Sequence, residues 1–209
     1  GASAILLQNN VPATHADSGE AHCVLPLQKG LKVAVVGDAA HKKPIVTGGG
    51  SGHVDPAWVS THFSALAAQT DATYADSSDP VAAAALAAQS DVAVVVVGVE
   101  SREGQDRRSL SLAEADDSLV RAVAAANPKT VVVVCAPGPV LLPWREDVPA
   151  ILFTLYGGQE AGAGVADVLL GDRAPSGRLP FTIPAEEPMF PPSRSEEHTS
   201  ELQSPLDIS

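Results

Sequence analysis

Aromatic side chains are scarce in this chain, at 4% of its 209 residues, while hydrophobic residues as a whole make up 45%. Alanine and valine therefore carry most of the apolar surface. Such a core suits tightly packed helices on a Val-rich sheet better than a sandwich of aromatic strands. Positive charge is also scarce: 13 Lys and Arg face 25 Asp and Glu, for a net charge of −12. An acidic surface repels phosphate backbones, and no Lys/Arg cluster offsets it, so nucleic acid is excluded as a partner. No uninterrupted apolar run approaches the ~20 residues of a membrane-crossing helix, so no membrane partner is expected. The two cysteines, Cys23 and Cys135, are too few to define a redox compartment. Cys135 ends an apolar run and reads as a buried thiol; Cys23 lies in a polar stretch.

Other signatures are missing as well. No Gly-x-Ser-x-Gly elbow occurs, which removes support for an esterase-type serine nucleophile. His41, His53 and His62 have no spacing that compels a metal, and His15 and His22 fall in a polar loop. No metal or organic cofactor is expected. The chain begins at Gly1 without Met and runs straight into Ala4-Ile5-Leu6-Leu7, with no signal-like segment before it. Its last sixteen residues, Arg194–Ser209, are polar and patternless, and RSEEHTSELQS matches the translation of a common sequencing adapter. Residues 1–193 are read as one domain and 194–209 as an artefactual or disordered tail. That tail holds one Arg against four acids, so the body is acidic without it.

What is present is an alternation of Val-rich runs with Ala-rich stretches. Leu31–Gly37, Asp91–Gly98, Thr130–Ala136 and Ala150–Tyr156 read as strands, with a short one at Ala72–Tyr74 and a last one at Phe181–Ile183. Helices are expected over Pro56–Gln69, capped by Asp55, and over Pro80–Gln89, capped by Asp79 or Ser78. Two more are expected over Ser111–Asn127, ended by Pro128, and over Gln159–Leu170, ended by Gly171. Residues 11–24 fit neither period and read as a surface loop. The predicted fold is α/β: a mostly parallel sheet flanked by helices on both faces, an α/β sandwich of flavodoxin-like type.

In open parallel sheets, sites form at the carboxyl ends of strands. Two loops leave such ends with unusual composition. Gly48-Gly49-Gly50-Ser51-Gly52 follows the strand at 31–37, and Glu100–Arg108 (ESREGQDRR) follows the strand at 91–98. The glycines allow a backbone close to a ligand, or merely a pliant connection. They lack the Gly-Lys-Ser/Thr ending of a nucleotide-binding loop. The charged loop reads as a carboxylic acid poised beside cations and a sugar, or as a solvated loop with internal salt bridges.

Taken together, these segments resemble the second domain of glycoside hydrolase family 3, the family of many β-glucosidases and β-xylosidases. The resemblance rests on Glu103-Gly104-Gln105-Asp106-Arg107 and on the glycine-serine loop with Val54 and Pro56. It rests also on Gly158-Gln159-Glu160, on Ala166-Asp167-Val168-Leu169, and on Pro175-Ser176-Gly177-Arg178-Leu179-Pro180. It covers residues 2 to about 184. It implies a C-terminal domain whose missing partner is an N-terminal (β/α)8 barrel carrying an aspartate nucleophile. The implied activity is retaining hydrolysis of terminal non-reducing β-D-glucosyl or related residues, from a β-linked oligosaccharide or glycoside, by a frequently secreted enzyme. Glu103 takes the role of general acid/base, with Glu100 its main rival. Ser51 and Gly50 are implied to approach the sugar, while Asp106 and Arg107 hold the loop's shape. Arg102 and Arg107 are expected to turn away from Glu103, toward Glu100 or Asp106. A pKa raised by burial and substrate binding would keep Glu103 protonated. The fragment alone is expected to be inactive. The rival readings are a non-catalytic carbohydrate-binding module and a flavodoxin-like nucleotide or flavin binder. Two departures from the family pattern stand out: Ala113-Glu114 replaces its Pro-Gly, and Tyr156-Gly157-Gly158-Gln159 replaces its Tyr-Pro-Gly-Gln.

Overall fold

A computed structural model describes residues 4–10 and 23–187. Most of the expected loop at 11–24 and the whole tail at 194–209 lie outside the described residues. The six strands are β1 (Ile5–Asn9), β2 (Lys32–Val36), β3 (Asp71–Ala75), β4 (Val92–Gly98), β5 (Thr130–Cys135) and β6 (Ala150–Thr154). They form one sheet in the order β1-β6-β5-β4-β2-β3. All neighbours pair in parallel except β1, which runs antiparallel to β6 at one edge. The four helices are α1 (His62–Ala67), α2 (Pro80–Ala88), α3 (Glu114–Ala126) and α4 (Ala161–Leu169).

The period of two along each strand decides which layer a side chain joins. Val92, Val94 and Val96 of β4 enter one core with Leu66 of α1 and Val165 and Leu169 of α4. Ala93, Val95 and Val97 enter the other, with Ala83 of α2 and Leu119, Val120 and Val123 of α3. Residues Val92–Val97 are all buried, the mark of a strand covered on both faces. The α/β sandwich is thus the observed architecture.

Asp79 is the cap of α2, its carboxylate accepting from the backbone N–H of Val81 and Ala82. The helix expected from Pro56 begins six residues later, at His62. The backbone before it is engaged elsewhere. Ser60 N–H donates to the Gln159 carbonyl, and the Ser60 carbonyl accepts from Gly162 N–H. Gly162 sits so close to Ser60 and Thr61 that a Cβ there would overlap their backbone. Thr61 and Ser64 then form a reciprocal capping box that starts the helix. Helix α3 likewise begins at Glu114 rather than Ser111, since Ala113 before it is extended and the Leu110 carbonyl is taken by Leu141 N–H. The C-terminal helix starts at Ala161, after a 3-10 turn over Gly158–Glu160.

Residues 181–183 are not a strand. The β6 edge is already taken by β1, an apolar segment not expected to pair. Leu179, Phe181 and Ile183 instead pack as an irregular strap on the α2/α3 core, with Phe181 edge-on to Phe153 at 5.8 Å. Cys135 is buried and Cys23 exposed, both as free thiols. No described helix is long and apolar enough to cross a membrane.

Candidate active site

The strand order creates a crevice at one place. After β2 the chain moves outward to β3; after β4 it moves the opposite way, to β5. The loops leaving β2 and β4 therefore diverge from neighbouring parallel strands. Such a topological switch point is where open α/β sheets hold their ligands. The glycine loop and the acidic loop are those two loops, and they open on the same edge.

The loops are zipped together by their backbones. Gly49 N–H donates to the Ser101 carbonyl at 3.0 Å, and Glu103 N–H donates to the Gly49 carbonyl at 3.2 Å. This is a parallel bridge between Gly49 and Arg102. The three consecutive glycines each face one residue of the acidic loop, Gly48 meeting Ser101, Gly49 meeting Arg102 and Gly50 meeting Glu103, while Gly52 has open space beside it. The glycine run is thus explained by close approach of two chains. Residues 101–103 pack directly against these glycines.

Glu103 is exposed at the lip of this bridge. Its Oε2 accepts from Ser51 N–H at 2.7 Å. The Ser51 hydroxyl first, and then that N–H, hold its carboxyl below the ordinary glutamate value. In this domain by itself the shift is downward, where burial and substrate binding together were expected to raise it. Donors favour the charged form, and nothing here buries the group. Ser51 and Gly50 do sit against Glu103, on the same loop tip.

Neither Arg102 nor Arg107 makes an ion pair with Glu103, Glu100 or Asp106 among the described residues. Arg107 reaches the Pro139 carbonyl at 2.8 Å and the Ser109 carbonyl at 3.4 Å. Partial burial lowers its pKa, with Tyr156 and Glu187 working in the other direction. Arg102 is exposed and joins the Gly49 bridge through its backbone. Asp106 does not support the loop through its side chain. Its exposed carboxylate has no hydrogen bond or ion pair among the described residues, because the turn is closed by backbone contacts and by Arg107. Asp106 instead lines, with Glu100, Arg102 and Arg107, a hollow of about 530 Å³ beside the bridge.

Two supports were not legible beforehand. Tyr156 accepts from Ser101 N–H at 2.7 Å through its phenol oxygen, anchoring the incoming end of the acidic loop. Its place on a motif interrupted by Gly157 is the one sequence hint. His53 bridges the Gly48 carbonyl at 3.0 Å and Asp55 at 2.9 Å. Asp55 foremost, then the Gly48 carbonyl, raise its pKa. Val54 and Trp58, on the continuation of the glycine loop, are exposed. The chain's other tryptophan, Trp144, is fully buried. No metal-competent group of acids, His and Cys occurs among the described residues.

Gly50 has φ +96°, and an added Cβ would overlap the Cβ of Glu103. Gly50→Ala is therefore expected to cost about 1–2 kcal/mol of stability, from the left-handed backbone alone. It should also part Ser51 from Glu103 and return the Glu103 carboxyl toward its ordinary pKa. Denaturant melts and a carboxyl NMR titration check both; an unchanged Glu103 titration would refute the pairing.

Comparison with known proteins agrees with this architecture. Residues 4–206 match the profile of the Glycosyl hydrolase family 3 C-terminal domain. The chain is 46% identical over 116 residues to a probable beta-glucosidase J of Aspergillus fumigatus, covering 53% of this chain and 13% of that protein. It is 44% identical over 105 residues to a beta-glucosidase of Kluyveromyces marxianus, covering 49% and 12%. Its fold superposes on a glycoside hydrolase family 3 beta-glucosidase from Neurospora crassa with TM-score 0.76 at 32% identity, over 87% of this chain and 24% of that one. A GH3 beta-glucosidase from Bifidobacterium adolescentis gives 0.75 at 30%, over 88% and 27%. The chain thus spans a small part of each relative, and within that part it belongs to the Glycosyl hydrolase family 3 C-terminal domain family.

Proposed function

We propose that this domain supplies the general acid/base of a retaining exo-β-glycosidase, acting on terminal non-reducing β-D-glucosyl or related residues, and that Glu103 is that group. The observation that carries the proposal is the carboxylate of Glu103. It is fixed by the Ser51 N–H at the lip of the switch-point crevice, and its exposed carboxyl lies open to a substrate.

Retaining hydrolysis needs two carboxyl groups roughly 5–5.5 Å apart, one of them a nucleophile. In this proposal the second comes from a (β/α)8 barrel that covers the loop tips, and exposed Val54 and Trp58 mark the covered face. Closure and sugar binding remove water from Glu103 and raise its pKa, so that it enters the cycle as an acid. It gives its proton to the departing glycosidic oxygen while the barrel carboxylate bonds to the anomeric carbon. The resulting Glu103 carboxylate then takes a proton from the water that releases the sugar. The donors of Ser51 favour the charged form of Glu103, the form this second step requires.

Turnover of an aryl β-glucoside tests the proposal. The chain by itself should show none, and the chain joined to a family 3 barrel should release the β-anomer first, read by proton NMR. Turnover by residues 1–193 alone, or initial release of the α-anomer, would defeat it. The packing of Ser101–Glu103 against the glycine loop speaks against the nucleotide alternative.

A further inference from the structure

The acidic loop has two ends, and they are secured differently. The incoming end is held by Tyr156 at Ser101 and by Gly49 at Ser101 and Glu103. Only Gly104, Gln105 and Asp106 separate Glu103 from Arg107, where the outgoing end begins. That end is tied to two places. Leu110 carbonyl accepts from Leu141 N–H at 2.9 Å, and Arg107 donates to the Pro139 carbonyl, both on the segment after β5. The other tie comes from the strap. Leu110 N–H points between both carboxylate oxygens of Glu187, 3.1 Å from each. The Ser109 hydroxyl donates to Glu187 Oε2 at 3.2 Å.

The strap is itself anchored before it reaches the loop. Gly177 N–H donates to the Ala4 carbonyl at 3.0 Å, beside the start of β1. Leu179, Phe181 and Ile183 then pack on the α2/α3 core. Glu187 therefore arrives from a fixed support about eighty positions along the chain from the residues it grips. It brings a negative charge to the neighbourhood of Arg107, whose partial burial otherwise costs the cation its hydration. A charged acceptor serving two donors is among the stronger kinds of hydrogen-bonded tie.

We propose that Glu187 is a positioning residue for Glu103: by gripping Ser109 and Leu110 it holds the outgoing end of the acidic loop, and with it the lip on which Glu103 meets Ser51. Its catalytic consequence rests on the acid/base role proposed above; the mechanical coupling does not.

Amide hydrogen exchange on the 209-residue chain tests the coupling without any turnover. In Glu187→Ala, Leu110 N–H should lose protection. Ser51 and Glu103 N–H, which lie on the far side of the loop, should exchange several-fold faster, while Val95 in the core is unchanged. Glu187→Gln, which keeps a carbonyl acceptor, should restore most of the protection at Ser51 and Glu103. Acceleration at Leu110 alone would overturn the proposal, since the tie would then be local. Uniform acceleration that includes Val95 would overturn it too, since that is loss of global stability. With the barrel attached, Glu187→Ala should lower kcat/KM several-fold for alkyl β-glucosides and leave dinitrophenyl β-glucoside unchanged, because a good leaving group needs no proton. A loss equal across leaving groups would overturn the positioning role. Glu103→Gln run beside it separates the two claims: if that variant shows no leaving-group dependence, it is the acid/base reading that has failed.

Discussion

On the proposed acid/base role, Glu103→Ala in this chain joined to a family 3 barrel is expected to lower kcat/KM for alkyl and disaccharide β-glucosides by roughly 10²–10⁴-fold, the usual contribution of a positioned acid/base group. The loss should grow as the leaving group becomes more basic, since those substrates depend most on protonation. Azide should restore turnover of activated substrates. It occupies the space left by the side chain and needs no base to attack the glycosyl-enzyme, and the product is then a β-glycosyl azide. Glu100→Ala is the matched control. Glu100 is exposed and lines the hollow beside the bridge, without any donor fixing its carboxylate among the described residues. It should therefore lose far less. Full turnover in Glu103→Ala, or the larger loss in Glu100→Ala, would move the acid/base role away from Glu103. Ser51→Ala adds a finer measurement. Removing the hydroxyl should let the Glu103 pKa rise, so the basic limb of the kcat/KM profile shifts upward.

The sheet and the place of the two candidate loops on it were legible for the same reason. Runs such as Val92–Val97 are apolar at every position, a pattern that a strand buried on both faces demands. Once those runs are strands, the loops after β2 and β4 must share an edge, and their odd composition marks them. What the sequence could not show was the traffic of backbone hydrogen bonds. Pro56 and Asp55 look like a helix start, yet Ser60 spends its N–H and carbonyl on Gln159 and Gly162, and Thr61 with Ser64 makes a better cap. Ala4-Ile5-Leu6-Leu7 is apolar with no alternation, so only the free edge of β6 makes it a strand. The sign of the Glu103 pKa shift was hidden likewise. It depends on a donor fifty-two positions away, at Ser51. Asp106 makes no ion pair among the described residues, although it lines the same hollow as Arg102 and Arg107, an outcome that proximity in sequence to three arginines did not reveal.

Acid should unfold the domain through His62. The ring is buried, with its Nδ1 lacking a hydrogen bond among the described residues and its Nε2 4.0 Å from the Cys135 sulfur. Burial lowers its pKa from 6.5 to about 4, against an opposing pull from the Ala39 backbone. The unfolded chain thus binds a proton near pH 6.5 that the folded chain refuses until about pH 4. Stability from a neutral His62 is complete above 6.5, falls as the pH drops through that interval, and is gone below it. At 1.36 kcal/mol per unit, the loss is about 3 kcal/mol. Cys135, raised to about 11 by burial, stays neutral throughout. Asp116 works in the opposite direction. Burial, with help from Asp117 and Asp38, raises its pKa from 3.8 to about 6. Its carboxyl is protonated more readily in the folded state, so its contribution weakens as pH rises through that range. The two effects overlap, and a single melting curve against pH will understate His62. The difference between wild type and His62→Leu removes everything the two share. Leucine keeps the core filled and leaves no buried ring nitrogen without a partner. In denaturant titrations at pH 7.5, 6, 5 and 4, wild type should lose unfolding free energy relative to the variant at each step down, by about 3 kcal/mol in all. Parallel curves would show that His62 is protonated as easily inside the fold as outside it. A second variant, His62→Gln, should behave as His62→Leu does in its pH dependence, whatever its absolute stability, because neither side chain can take up the proton.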